Sequence, residues 1–156
     1  MNAYERLRAE ADAGRVEEVI VGVPDLQGRL QGSRLSVPYF LDVAAELGVP
    51  PTESGGGFGA CVYLLASDVE MDTGPGYAID AWNMGFGDFS LRPDQATLRT
   101  LPWDEGTALV LADAFWPDGE AVEVAPRQVL RTQLDRLAER GLTAFAGTEL
   151  EFLVFS

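Results

Sequence analysis

Gly147-Thr148-Glu149-Leu150-Glu151-Phe152-Leu153-Val154-Phe155 sets two carboxylates inside an otherwise apolar run near the end of this 156-residue chain. The run reads as a β-strand. Successive strand side chains point to opposite faces, so Glu149 and Glu151 share one face and Leu150, Phe152 and Val154 the other. A strand this apolar calls for burial on both sides, and two buried carboxylates side by side are costly unless an opposite charge neutralises them. A divalent cation is the simplest such partner, which makes Glu149 and Glu151 the candidate metal ligands. The competing reading is the solvated face of an edge strand. Residues 152–155 weigh against it, because an exposed strand of that composition is an aggregation hazard and predicts poor solubility.

The chain has no histidine. Ser-His-Asp and Cys-His nucleophile systems and histidine-bearing zinc sites are therefore excluded within it. Metal chemistry must use oxygen ligands, which favours Mg2+, Mn2+ or Ca2+. The net charge of −14 and pI of about 4.2 argue against nucleic acid or an anionic membrane as partner. Hydrophobic content of 47% with 23% charged residues describes a folded chain rather than a disordered one. The length suits one medium domain, or a small domain and the opening of another. The single cysteine, Cys61, forms no internal disulfide and sits in an apolar run, where it reads as a small buried hydrophobe. The N-terminus lacks an apolar stretch of signal-peptide length and no run reaches membrane-spanning length, so a cytoplasmic location is expected.

Along the chain, residues 2–13 predict a helix with Asn2 as N-cap and Gly14 as stop. Residues 16–23 and 29–35 predict a hairpin about the turn Pro24-Asp25-Leu26-Gln27-Gly28. Ser36-Val37-Pro38 opens a helix ending at Gly48. Residues 50–59, with Gly55-Gly56-Gly57 at their centre, lack P-loop and dinucleotide-site context and read as a loop. A strand is expected over 61–66, followed by the acidic run Ser67-Asp68-Val69-Glu70-Met71-Asp72. That run is either a metal face or, the preferred reading, a solvated edge or loop. Residues 74–89 mix glycines with Tyr77, Trp82, Phe86 and Phe89, either as a packed loop or as the wall of a ligand site. Short strands are expected over 88–94 and 97–99, and a longer one over 107–113. Pro126 opens a helix to Arg140, whose Val129, Leu130, Gln133, Leu134 and Leu137 fit a 3.6-residue period and which Gly141 caps.

In order and spacing, these features resemble the N-terminal third of bacterial-type glutamine synthetase. The resemblance runs from about Val16 to Phe155. It rests on Asp25-x-x-Gly28-Arg29, on Gly87-Asp88-Phe89-x-Leu91-x-Pro93-Asp94, on the strand ending at Asp113, on Pro126-Arg127 and above all on Gly147-Thr148-Glu149-Leu150-Glu151-Phe152. It implies an α+β fold: an N-terminal helix over 1–15, a β-grasp domain over 16–114, and the first helix and strand of a truncated catalytic domain over 121–156. It also implies that Glu149 and Glu151 each hold one of two divalent cations, Mg2+ or Mn2+. The implied reaction is ATP-dependent phosphorylation of the glutamate γ-carboxylate, followed by attack of ammonia or a primary amine, in subunits assembled as homo-oligomeric rings and serving nitrogen metabolism.

Two departures qualify that expectation. Ammonia-using members carry an Asp-Gly-Ser-Ser stretch ahead of the tryptophan that Trp82 resembles, where this chain has Pro75-Gly76-Tyr77-Ala78-Ile79-Asp80. The difference points to the branch that joins glutamate to a polyamine or another primary amine. The remaining metal ligands, the ATP contacts and the glutamate contacts belong to a part expected after Ser156, so the chain is expected to be a fragment inactive alone. The alternative is a non-catalytic β-grasp module that docks on, or inhibits, rings of full-length relatives.

Overall fold

The computed structural model describes residues 1–46, 58–73, 76–77, 79 and 87–155. The expected helix stop at Gly48, the Gly55-Gly56-Gly57 loop, Asp80 and Trp82 lie outside them.

The first helix, α1 (Ala3–Asp12), starts where the sequence asks it to. Asn2 Oδ1 accepts the Glu5 N–H and Glu5 Oε2 accepts the Asn2 N–H, both at 2.8 Å, closing a capping box. Gly14 then adopts φ 69°, a left-handed stop that suits glycine. Asn2→Ala should cost about 1 kcal/mol in urea unfolding, the usual worth of such a cap; an unchanged midpoint would show that α1 is held by the packing of Ala3, Tyr4 and Leu7 rather than by its cap.

The strands β1 (Val16–Pro24) and β2 (Leu30–Ser36) form the expected antiparallel hairpin, with Gly22 opposite Gly32. Helix α2 (Val37–Glu46) follows without a loop. Its Phe40 is fully buried, stacked on Phe58 at 5.3 Å and meeting the Tyr4 ring edge-on at 5.6 Å. Three further strands, β3 (Phe58–Cys61), β4 (Asp88–Pro93) and β6 (Gly106–Phe115), complete the main path of one mixed sheet in the order β2-β1-β6-β4-β3. The two-residue β5 (Arg99–Thr100) pairs with β6 off that path. At the centre β1 runs parallel to β6, while every other pairing is antiparallel. Val19, Val21, Ala108, Val110 and Ala112 are buried in this centre, and Phe40 and Leu41 of α2 and Leu7 of α1 join the same core. No helix among the described residues is long and apolar enough to cross a membrane.

Three expectations are corrected. The strand expected over 61–66 ends at Cys61, and Val62–Leu65 form a 3-10 turn. Val62 and Leu65 are both buried, and the three-residue repeat of that turn places them on one side, where a strand would have opposed them. The strand expected over 97–99 is instead a 3-10 turn, Gln95–Thr97, capped by Asp94 and leading into β5. The strand carrying Glu149 and Glu151 is absent. Residues 142–155 have no regular structure and their side chains are exposed, Phe152 at 81%. Strand structure needs a ladder partner, and no sheet strand among the described residues pairs with this segment.

The last helix, α3 (Pro126–Ala138), has Pro126 in its first turn and Gly141 at φ 69° beyond its end, as the sequence predicts. None of its residues is buried.

Candidate metal centre

Glu149 and Glu151 stand in an exposed, irregular segment, so their carboxylates are not the buried pair that the apolar run suggested. Their donor chemistry still fits a hard cation: four carboxylate oxygens, two positions apart in sequence. Two carboxylates alone would leave to water most of the shell of about six oxygens that Mg2+ takes, and among the described residues no group of three or more acidic, cysteine or histidine side chains is arranged to hold a metal. A complete site would need further ligands besides these two residues.

The acidic run at 67–72 resolves as a loop, in line with the preferred reading. Asp68 Oδ1 accepts the backbone N–H groups of Glu70 and Asp72 at 2.9 and 3.0 Å, so this carboxylate caps its own turn. The Asp68 and Val69 carbonyls accept from Arg29 at 2.8 and 3.1 Å, which ties the loop to the β1–β2 turn.

That turn holds the most deeply buried charge of the described residues. Asp25 is 2% exposed. Its Oδ1 accepts the N–H groups of Gln27 and Arg29 at 3.0 and 2.8 Å, and its Oδ2 accepts Arg29 Nε at 2.6 Å and Gln31 Nε2 at 3.0 Å. Burial pushes the Asp25 carboxyl up, but the Gln31 and Arg29 side chains and the two backbone donors together hold it below the usual carboxylate range. Asp25 and Arg29 of the Asp25-x-x-Gly28-Arg29 motif are therefore the two halves of a structural ion pair, and Gly28 supplies the turn at φ 81°.

The other motif residues also meet. Arg127 Nε donates to Asp113 Oδ1 at 2.8 Å and Arg127 Nη2 to Asp94 Oδ2 at 2.7 Å, while Arg131 Nη2 donates to Asp113 Oδ2 at 2.6 Å. The sequence marked Pro93-Asp94, Asp113 and Pro126-Arg127 as separate signposts but did not pair them. The available signal was an arginine one residue into a proline-led helix, with acids at the ends of two strands. Arg34 was missed altogether. It donates to Glu18, Asp104 and Thr107 beside a cleft of about 730 Å³ that also includes Arg15, Glu17 and Glu105. Cys61 is half-buried and lies in a second cleft, of about 420 Å³, with Tyr39 and Tyr63.

A catalytic-domain class can now be matched to these residues. Residues 123–156, which contain α3 and the Glu149/Glu151 segment, match the family profile of the glutamine synthetase catalytic domain. The chain is similar to ligases of this family over nearly its whole length. It is 52% identical to a gamma-glutamylethanolamide synthetase, GlnA4, of Streptomyces coelicolor, across 97% of this chain and 31% of that protein. It is 28% identical to a glutamate–isopropylamine ligase of a Pseudomonas species, again across 97% of this chain and 31% of the relative. The chain thus spans about a third of the length of these curated relatives. A solved structure described as a novel glutamine synthase homolog shares the fold, with a TM-score of 0.63 at 19% identity over 80% of this chain and 27% of that one.

Proposed function

We propose that this chain is part of an ATP-dependent glutamate–amine ligase that makes γ-glutamyl amides of primary amines through a γ-glutamyl phosphate. The observation that carries the reading is the 52% identity to a gamma-glutamylethanolamide synthetase over nearly all of the chain. The sequence departure at 75–80 and the similarity to an isopropylamine ligase support an amine rather than ammonia as acceptor. In this reading residues 1–15 are a leading helix and 16–114 a β-grasp domain. The parallel pairing of β1 with β6, flanked by a hairpin and packed against α2, supports that label. Residues 121–156 open the catalytic domain, and the whole works in the cytoplasm as a homo-oligomeric ring.

Glu149 and Glu151 would hold Mg2+ or Mn2+, one each. The bound cations would neutralise charge on the transferring phosphate. The chain's own contribution is two anionic oxygen donors carried just beyond α3. Since the chain spans only 31% of these relatives and no third acidic, cysteine or histidine side chain among the described residues joins the pair at a metal, the 156-residue chain alone should form no γ-glutamyl product from glutamate, ATP, Mg2+ and amine. Robust turnover by it would overturn this part of the reading.

The direct test is a chimera in which this chain replaces the matching third of the Streptomyces relative. It should release γ-glutamyl amide, and Glu149→Ala or Glu151→Ala should lower metal affinity or activity by at least roughly tenfold to a hundredfold, the cost of losing even a residue that merely supports a metal ligand. Full activity in both variants would remove the metal assignment. An inactive chimera that folds would remove the ligase reading.

A further inference from the structure

Helix α3 is seated on the sheet by charge rather than by apolar burial. None of its residues is buried, and Val129, Leu130 and Leu134 of its apolar stripe are exposed. Burial ends just before it, at Val122 and Ala125. A 13-residue helix is marginal in water on its own, so α3 needs a tertiary anchor. The anchor that the structure offers is Arg127, 19% exposed, whose fork spans two neighbouring strands. It reaches Asp113 within β6 and Asp94 immediately after β4. Arg131 adds a second bond to Asp113 from one turn further along. Asp94 is itself fixed, because its N–H donates to the Leu111 carbonyl at 2.8 Å and its Oδ1 caps the following 3-10 turn.

We propose that Arg127 is a positioning residue. Through Asp94 and Asp113 it clamps the start of α3 to the six-stranded sheet and so sets the direction in which the chain leaves towards Glu149 and Glu151. A planar guanidinium that binds one carboxylate within β6 and another just past the end of β4 fixes an angle as well as a distance, which a lysine ammonium does not. The consequence for a metal site rests on the ligase reading above; the clamp does not.

Hydrogen exchange on the metal-free 156-residue chain tests the clamp independently of any role for Glu149 and Glu151. Arg127→Met keeps the aliphatic stem and removes the charge. It should speed exchange of the α3 amides about tenfold or more, the scale expected for lost hydrogen bonds to charged groups, with β1 and β6 amides unchanged. Arg127→Lys should restore part of the protection. Equal α3 exchange in wild type and Arg127→Met would overturn the proposal. So would a rise spread evenly over β1 and β6.

Discussion

Gly32→Ala is expected to be the most damaging single-methyl change among the described glycines. Gly32 adopts φ 144°, and a Cβ there would sit 1.9 Å from the Val21 carbonyl oxygen. That oxygen is backbone in the central β1, paired on both sides, so it cannot swing away as a side-chain end would. The backbone conformation alone is disfavoured for an L-residue by about 1–3 kcal/mol, and overpacking adds about as much again. We expect a loss of roughly 4 kcal/mol in chemical denaturation, the sum of these two effects. Gly59→Ala is the control: it lies in extended β3, no atom stands within 4 Å of its added Cβ, and the change should be neutral or slightly stabilising. A Gly32→Ala variant as stable as Gly59→Ala would show that the β1–β2 crossing differs from the one described.

Arg29→Ala should cost about 3–5 kcal/mol, since it leaves the buried Asp25 carboxylate without its cationic partner. Asp25→Ala should cost somewhat less. Arg29 is then still held by the Asp68 and Val69 carbonyls and by Gln27, and is itself partly solvated. The pair also predicts a pH dependence. The Asp25 carboxyl is held below its ordinary value in the folded chain, so the folded state binds this proton less readily than the unfolded one. Its stabilisation is complete above the ordinary carboxylate pKa of about 4 and is lost as pH falls through the lowered folded value. Asp25→Asn should therefore be destabilised at neutral pH and lose less further stability between about pH 4 and 2 than the wild type. Parallel curves for the two proteins would remove Asp25 as a source of acid sensitivity.

How much of this was legible depended on whether the deciding information was local. The hairpin at 16–36, the capped α1 and the proline-led α3 were readable because each is punctuated by its own residues: Asn2 and Gly14, Pro24 and Gly28, Pro126 and Gly141. The run at 61–66 was misread because four apolar residues satisfy a buried strand and a buried 3-10 turn equally well. The choice was settled by the joint burial of Val62 and Leu65, which depends on packing partners far along the sequence. The Glu149/Glu151 segment shows the opposite limit. Its composition expresses a preference for burial that no described neighbour satisfies, so local pattern and observed structure part there. At the candidate site the identity of the two acids was plain from sequence and their surroundings were not. The Asp94–Arg127–Asp113 bridge was invisible for a related reason: its members stand 33 and 14 residues apart.

The parallel pairing at the centre of the sheet carries a consequence for how the chain acquires its structure. Val19 lies opposite Ala108 and Val21 opposite Val110, so β1 must wait for residues far along the chain before its second edge is covered. The β1–β2 hairpin and α2 involve only near neighbours and can assemble as soon as they leave the ribosome, whereas closing so long an intervening loop is slow. During synthesis the Val- and Ile-rich edge of β1 is therefore open until β6 emerges. Aggregation of nascent chains should concentrate in that interval, and a stall before residue 106 should be more harmful than one after residue 115.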